Sequence, residues 1–330
     1  MTYVGKDIAN QFWKFGLLGR DFNYRPFATR LDGRTLWATT SEPSAPDVPS
    51  FGRASAVYNV IDTRQSYLQQ LLKQALSAMG FTEQAAQSTH FSYEMVALSH
   101  ATARALGYQN SDDGKPFVEV SGRKGLGVKA DDLIDRLVAT ASDEVGRRNP
   151  ELDQAERQRT AESIAIAALR YFLVKFTRNK IIAFDIDEAL SFEGETGPYI
   201  QYAAVRGGNI LAKLAERFET TGRDVVDRLP SLSRDAIDTG EAADELWSLV
   251  LEAARLDEIV DTSVRTLELS VLAKFAFALA QSFNAFYHRQ QILRESDETA
   301  RLWRAAVVIY VRQQLTTALD LMGCAVPARM

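Results

Sequence analysis

Residues 184–206 read FDIDEALSFEGETGPYIQYAAVR, an apolar strand-like start, an acidic turn and then a helix. Glu193-Gly194-Glu195-Thr196-Gly197-Pro198 packs two glycines, a proline and a capping hydroxyl together, so the backbone turns sharply before the helix begins. Thr196 or Gly197 can cap that helix, with Pro198 in its first turn. Tyr199, Tyr202 and Arg206 then fall at i, i+3 and i+7, which puts two phenols and a guanidinium on one helical face. That face is either a core stripe or a docking platform for something flat and anionic.

Downstream and upstream of this stretch the character of the chain differs. From Ala130 onward it reads as long amphipathic helices: 131–147, 151–176, 197–218, 242–255, 261–293 and 299–322. Before residue 130 the pattern is mixed. Asp32-Gly33 between short runs signals a hairpin, residues 41–52 form a proline-rich loop, and residues 56–61 (AVYNVI) read as a buried strand. Asp62-Thr63-Arg64-Gln65 follows that strand just before a helix over 66–80, where α/β sheets place ligand contacts. A second helix is expected from Glu83, with residues 93–96 inside or just beyond its end, and residues 115–120 read as a strand.

Composition bounds the answer. The chain has 330 residues, 46% hydrophobic and 25% charged, enough for a sizeable core and two domains. Cys324 is the one cysteine, which excludes an internal disulfide and a cysteine-based zinc cluster and fits a reducing cytosol. The first ten residues lack the apolar run of a signal peptide, and residues 305–311 are too short to span a bilayer, so a cytoplasmic protein without membrane contact is expected. A net charge of −5 argues against indiscriminate nucleic-acid binding but says nothing of a local basic face. Arg170, Lys175, Arg178 and Lys180 make such a patch.

Three further groups carry chemistry. Ile8, Phe12, Phe15 and Leu18 mark a first helix on which Tyr3 and Asp7 stack one turn apart. An aromatic ring beside a carboxylate can grip a guanidinium, and the same spacing also suits a helix start with a capping Asp. Ser121-Gly122-Arg123-Lys124-Gly125-Leu126-Gly127 is a glycine-rich basic loop, able to wrap a phosphate or to serve as a plain turn. Phe283, Phe286, Tyr287 and His288 line up aromatics in FNAFYH, either as core or as a stacking surface.

Taken in order, TYVGKDIANQFWKFGLLGRDF (2–22), YNVIDTRQSY (58–67), SYEMV (92–96), VSGRKGLGVKADDLID (120–135), the opening stretch, residues 256–288 and the terminal VPARM resemble the C-terminal half of arginine–tRNA ligases, which are class I aminoacyl-tRNA synthetases. The resemblance implies a mostly α fold: part of a class I nucleotide-binding α/β core over residues 1–128, then an all-α anticodon-binding bundle over 129–330. It implies that Tyr3, Asp7 and Gln65 bind arginine. Ser121, Arg123 and Lys124 would belong to the divergent KMSKS loop that steadies the ATP phosphates, with Val120 where methionine is usual. Tyr199, Tyr202, Arg206, Phe283, Tyr287 and Met330 would face the tRNA anticodon loop, whose splayed bases are read by stacking and edge hydrogen bonds.

The implied reaction joins arginine to its tRNA with consumption of ATP, with Mg2+ accompanying the ATP and no metal held by the protein itself. The HIGH motif of the family does not occur: His90, His100 and His288 are the only histidines and none lies in an HxGH context. Activity of these 330 residues alone is therefore in doubt, and an N-terminal half-enzyme is an expected partner. The alternative is a tRNA-binding paralogue without catalysis, against which the arginine-binding residues speak.

Overall fold

The computed structural model describes residues 3–108, 114–119, 127–238 and 240–330, with backbone alone for Tyr3, Ala236 and Asp238. It divides into two compact units, Met1–Glu94 and Met95–Met330. The expected boundary at 128–129 thus lies inside the second unit.

In the first unit α1 (Tyr3–Lys14) is followed by a hairpin of β1 (Asn23–Thr29) and β2 (Thr35–Thr40), then β3 (Val57–Asp62), α2 (Ser66–Ala78), α3 (Thr82–Ala86) and β4 (Ser88–Tyr93). β3 and β4 pair in parallel, Val57 opposite Ser88 and Asp62 opposite Tyr93, with α2 and α3 as the crossover. The apolar spacing of α1 is realised: Ile8, Phe12 and Phe15 pack with Val57, Leu76 and Ala85. Leu18, by contrast, is exposed. The hairpin turns at Gly33, whose φ of 79° lies in the left-handed region.

The helix expected from Glu83 is cut short. Its five residues end at Ala86, because Ser88-Thr-His-Phe-Ser-Tyr93 is rich in strand-forming residues and gains a complete ladder against β3. The strand read over 115–120 reduces, among the described residues, to one bridge between Val118 and Leu98.

The second unit holds β5 (Val96–Leu98), α4 (His100–Ala105), α5 (Ala130–Arg148), α6 (Gln154–Val174), β6 (Ile182–Phe184), α7 (Ile186–Leu190), α8 (Gly197–Phe218), α9 (Gly222–Arg228), α10 (Asp235–Asp238), α11 (Glu241–Ala253), α12 (Leu256–Thr266), α13 (Ser270–Arg289) and α14 (Glu298–Leu321). β5 and β6 are parallel and tie distant sequence together, and Ser99 Oγ donates to Asp185 Oδ2 at 2.6 Å. Side-chain caps set several starts: Asp153 for α6, Asp185 for α7, Thr196 for α8 and Asp297 for α14. The helix expected over 261–293 is two helices, because Leu267 takes φ 55° and ends α12. The fold is mostly α, a small α/β portion followed by a helical bundle, as the sequence indicates. Among the described residues no helix is long and apolar enough to cross a membrane.

One core joins α6, α8, α11, α13 and α14, and a second lies among β5, β6 and α4 to α7. Gly197 is where α8 meets α6. A Cβ there would collide with the Ala167 carbonyl oxygen and lie 2.7 Å from its carbon, so only glycine fits. Gly197→Ala is expected to cost about 1–3 kcal/mol in chemical denaturation, as overpacking does.

Cys324 follows α14, 1% exposed, with Sγ 3.9 Å from the Ala167 oxygen. Burial pushes its thiol up from 9.0 to about 11. The neutral thiol therefore contributes stability that is complete below about pH 9 and is lost as pH rises through about 11. A thiol reagent at neutral pH is expected to spare the native protein and to label Cys324 on unfolding.

Candidate nucleic-acid interface

The bend between α7 and α8 is built before anything is presented on it. Thr196 is buried; its Oγ1 donates to the Ser191 carbonyl at 2.6 Å and accepts from Tyr199 N at 3.2 Å, closing the loop on the helix it caps. Lys175 reaches in from the end of α6. Its Nζ donates to Glu188 Oε1 at 2.9 Å and to the Glu195 carbonyl at 3.1 Å, and lies 4.5 Å from the centre of the Phe172 ring. Lys175 is thus engaged internally and leaves the basic patch read from the sequence. Lys180 and Arg170 remain exposed, and Arg178 pairs with Glu268 at 3.9 Å.

The orientation of α8 sets how far Tyr199, Tyr202 and Arg206 reach solvent. Ile200, Gln201, Ala203, Ala204 and Val205 are buried, while Tyr199, Tyr202 and Arg206 are half-buried, with Tyr199 packing at the edge of the core. Arg206 is held on three sides. Its guanidinium carbon sits 4.8 Å from the Tyr202 ring centre and 5.4 Å from that of Tyr287, and Nη1 donates to Asn284 Oδ1 at 2.6 Å. Asn284 Nδ2 in turn donates to Tyr199 Oη at 3.0 Å. A guanidinium fixed between two rings, with part of its surface open, can stack on a base or bond its edge.

One sequence expectation changes here. Phe283 is 1% exposed and packs in the core of the bundle, so its ring offers no stacking surface. The neighbouring Asn284 holds the position on the face instead. Its signal in the sequence is the i, i+3 spacing to Tyr287, which the aromatics of FNAFYH overshadow. Met330 packs half-buried against the other core of this unit, the one that also takes Phe192. Beside Tyr202 a cleft of about 520 Å³ opens, lined also by Arg147, Arg148, Glu144 and Phe192. Arg148 lies 4.2 Å above the Phe192 ring centre. Its hydrogen bond to Glu144, opposed by burial and aided by the Arg148 and Arg147 charges, holds that carboxyl below the usual range.

The first unit carries the other residues singled out. Asp7 is half-buried on α1 and Gln65 is exposed at the start of α2. Behind α1 runs a buried polar chain: Lys14 Nζ donates to Asn59 Oδ1 at 2.8 Å, Asn59 Nδ2 to Gln69 Oε1 at 2.9 Å and to Gln11 Oε1 at 3.2 Å, and Gln11 Nε2 to Ser88 Oγ at 2.8 Å. Burial lowers the Lys14 ammonium from its ordinary value and the nearby Asp7 charge partly restores it. The Tyr3 side chain and the loop residues Ser121, Arg123 and Lys124 lie outside the described residues.

Residues 26–186 match the family described as class I (R) tRNA synthetase catalytic domain, and residues 200–330 match the DALR anticodon binding domain. The arginine–tRNA ligase of Deinococcus radiodurans is 34% identical over 99% of this chain and 50% of its own length. That of Thermococcus sibiricus is 34% identical over 100% of this chain and 47% of its own. The chain belongs to the arginine–tRNA ligase family. Among solved structures, the Thermus thermophilus arginyl-tRNA synthetase superposes with a TM-score of 0.77 at 29% identity, covering 100% of this chain and 49% of that one. The Plasmodium falciparum enzyme shares the fold, with a TM-score of 0.62 at 16% identity over 98% of this chain and 52% of its own.

The chain spans about half the length of these arginine–tRNA ligases. Tyr202, Arg206, Asn284 and Tyr287 all fall within the stretch that matches the anticodon binding domain, and Gln65 falls within the catalytic match. Lys175→Met keeps the bulk of the side chain against Phe172 but removes both donors to the bend. It is expected to cost about 1–3 kcal/mol in chemical denaturation, with limited proteolysis newly cutting residues 191–196.

Proposed function

We propose that this chain supplies part of an enzyme that attaches arginine to its tRNA, contributing residues 1–128 to the catalytic core and residues 129–330 to reading the anticodon loop. Arg206, clasped by Tyr202, Tyr287 and Asn284 within the DALR stretch, is the observation that carries the reading. Tyr199, Tyr202, Arg206, Tyr287 and Met330 receive unpaired bases by stacking and edge hydrogen bonds. Asp7, with Tyr3 and Gln65, accepts the guanidinium of free arginine, for which a fixed carboxylate is the natural partner. Ser121, Arg123 and Lys124 stabilise charge on the ATP phosphates as the arginine carboxylate attacks the α-phosphorus and pyrophosphate leaves. Mg2+ enters with ATP as part of that substrate, and the setting is the cytoplasm.

The catalytic core needs a complementary N-terminal half carrying HxGH, whether joined to this chain or separate. Parallel sheets are normally covered on both faces. Here the residues of β3 alternate: Val57 and Asn59 are buried, whereas Tyr58 and Val60 are 56% and 61% exposed. An open face of that kind suits such a cover.

Tyr202→Ala is expected to weaken binding of an arginine-tRNA anticodon stem-loop by about 1–3 kcal/mol, the worth of one stacked base. Asp7→Asn is expected to leave that binding within error and to raise the arginine KM once the complementary half is added. Charging assays and anisotropy titrations measure the two. Equal effects of both changes on both ligands would refute the division of labour, and stem-loop binding without any charging would favour an RNA-binding paralogue.

A further inference from the structure

None of the residues assigned above to arginine, ATP or the anticodon loop lies on the β1–β2 ribbon, and its construction is unusual for a structural hairpin. An isolated two-stranded ribbon is marginal in water unless a face is packed. Its base is anchored: Tyr24 is buried with its ring centre 4.6 Å from that of Phe51, and Asp21 Oδ1 accepts from Tyr24 Oη at 2.7 Å and from Trp13 Nε1 at 2.8 Å. Beyond that base the ribbon is open, with Phe27 65% and Leu36 45% exposed.

The register sorts its residues. Arg25 pairs with Ala38 and Ala28 with Leu36, a bulge at Phe27 takes up the extra residue, and Arg30 N donates to the Arg34 carbonyl at 2.9 Å. Opposed residues share a face and alternate residues repeat it. One face therefore carries Arg25, Arg30 and Arg34 around Ala28, Leu36 and Ala38, and no acid. Tyr24, Pro26 and Trp37 take the other, which is the anchored side. Asp32 in the turn engages Arg34 at 2.6 Å and Arg30 at 3.8 Å, so it offsets one of the three charges. Among the described residues Arg25 has no acidic partner. A protein of net charge −5 thus keeps, on a rigid base, an arginine face that stays positive after Asp32 is counted and is directed at solvent.

We propose that this face of the β1–β2 ribbon docks the phosphate backbone of an RNA helix. Arginine forks match phosphate oxygens in pairs, and double-stranded RNA is recognised through backbone and 2′-hydroxyl contacts across its shallow minor groove. Ala28 and Ala38 let the ribbon backbone approach closely, while Leu36 covers ribose. Docking of this kind is independent of sequence and separate from base reading at Tyr202 and Arg206. Only the assignment of the helix to a stem of arginine tRNA rests on the proposed function.

The test uses the 330-residue chain and a blunt RNA duplex without a loop, titrated by anisotropy over a series of salt concentrations. The duplex is expected to bind wild-type protein and the Tyr202→Ala variant alike. In the triple variant Arg25→Gln, Arg30→Gln, Arg34→Gln, affinity falls and the slope of log K against log salt becomes shallower by about 2–3, close to one for each phosphate no longer neutralised. These side chains are exposed, so an unchanged thermal melt is expected beside the weaker binding. Duplex binding of equal affinity and slope in wild type and triple variant would overturn the proposal, as would no duplex binding by wild type at low salt. A triple variant that loses only a complementary protein half while binding duplex normally would assign the face to protein and overturn it too. Failure of the anticodon stem-loop to bind, with duplex binding intact, would refute the proposed function and leave the ribbon's docking role standing.

Discussion

The close approach of α8 to α6 at Gly197 is the constraint on which the second unit depends. The first turn of α8 rests against the Ala167 carbonyl with no room for a Cβ, and Tyr171 lies beside the same spot. Once that turn is fixed, the 3.6-residue repeat leaves no choice: Ile200, Ala203 and Ala204 enter the core, Tyr199 packs at its edge, and Tyr202 and Arg206 stay half-open. A side chain at residue 197 would move the helix axis and with it every group on the outer face.

The bend leading to that close approach is held by polar groups. Lys175 is almost wholly shielded from water, and its ammonium is compensated by Glu188, a carbonyl and two aromatic rings. Glu188 is itself 57% exposed, so the lysine acts less as half of a buried ion pair than as the donor that ties the bend to α6. Such a residue gives geometric definition, here to residues 191–196. Arg206 follows the same rule outside the core, since its rings and Asn284 fix the guanidinium before any ligand arrives. A preorganised group loses less freedom on binding, which is how a partly exposed arginine becomes selective.

The first unit solves a different problem. Its short parallel sheet hides one face under α1 and α2, and the buried amides Gln11, Asn59 and Gln69 are linked with Lys14 and Ser88 in a network branched at Asn59. A fully connected buried network specifies register, whereas a half-satisfied one would cost stability. The opposite face of β3 and the outer face of the ribbon stay open, with Tyr58, Val60, Phe27 and Leu36 exposed.

Much of this was legible in the sequence. Helix periodicity marked α5, α6, α8, α11 and α14 within a few residues, Asp32-Gly33 marked the hairpin, and Thr196 before Gly-Pro marked the start of α8, because these signals are local: spacing, caps and turn residues act over one turn of chain. The split between α12 and α13 was not legible, since Leu267 takes a left-handed conformation that leucine does not favour. Nor was β4, whose strand state depends on a partner some thirty residues away. At the candidate interface the sequence by itself determined which residue types share a helical face, Tyr199, Tyr202 and Arg206 on one helix and Tyr287 on another. Only the tertiary structure decided which side of each helix faces out. That choice sent Phe283 into the core, brought Asn284 to Arg206 and turned Lys175 inward, because burial is a property of the assembled neighbours and not of the residue.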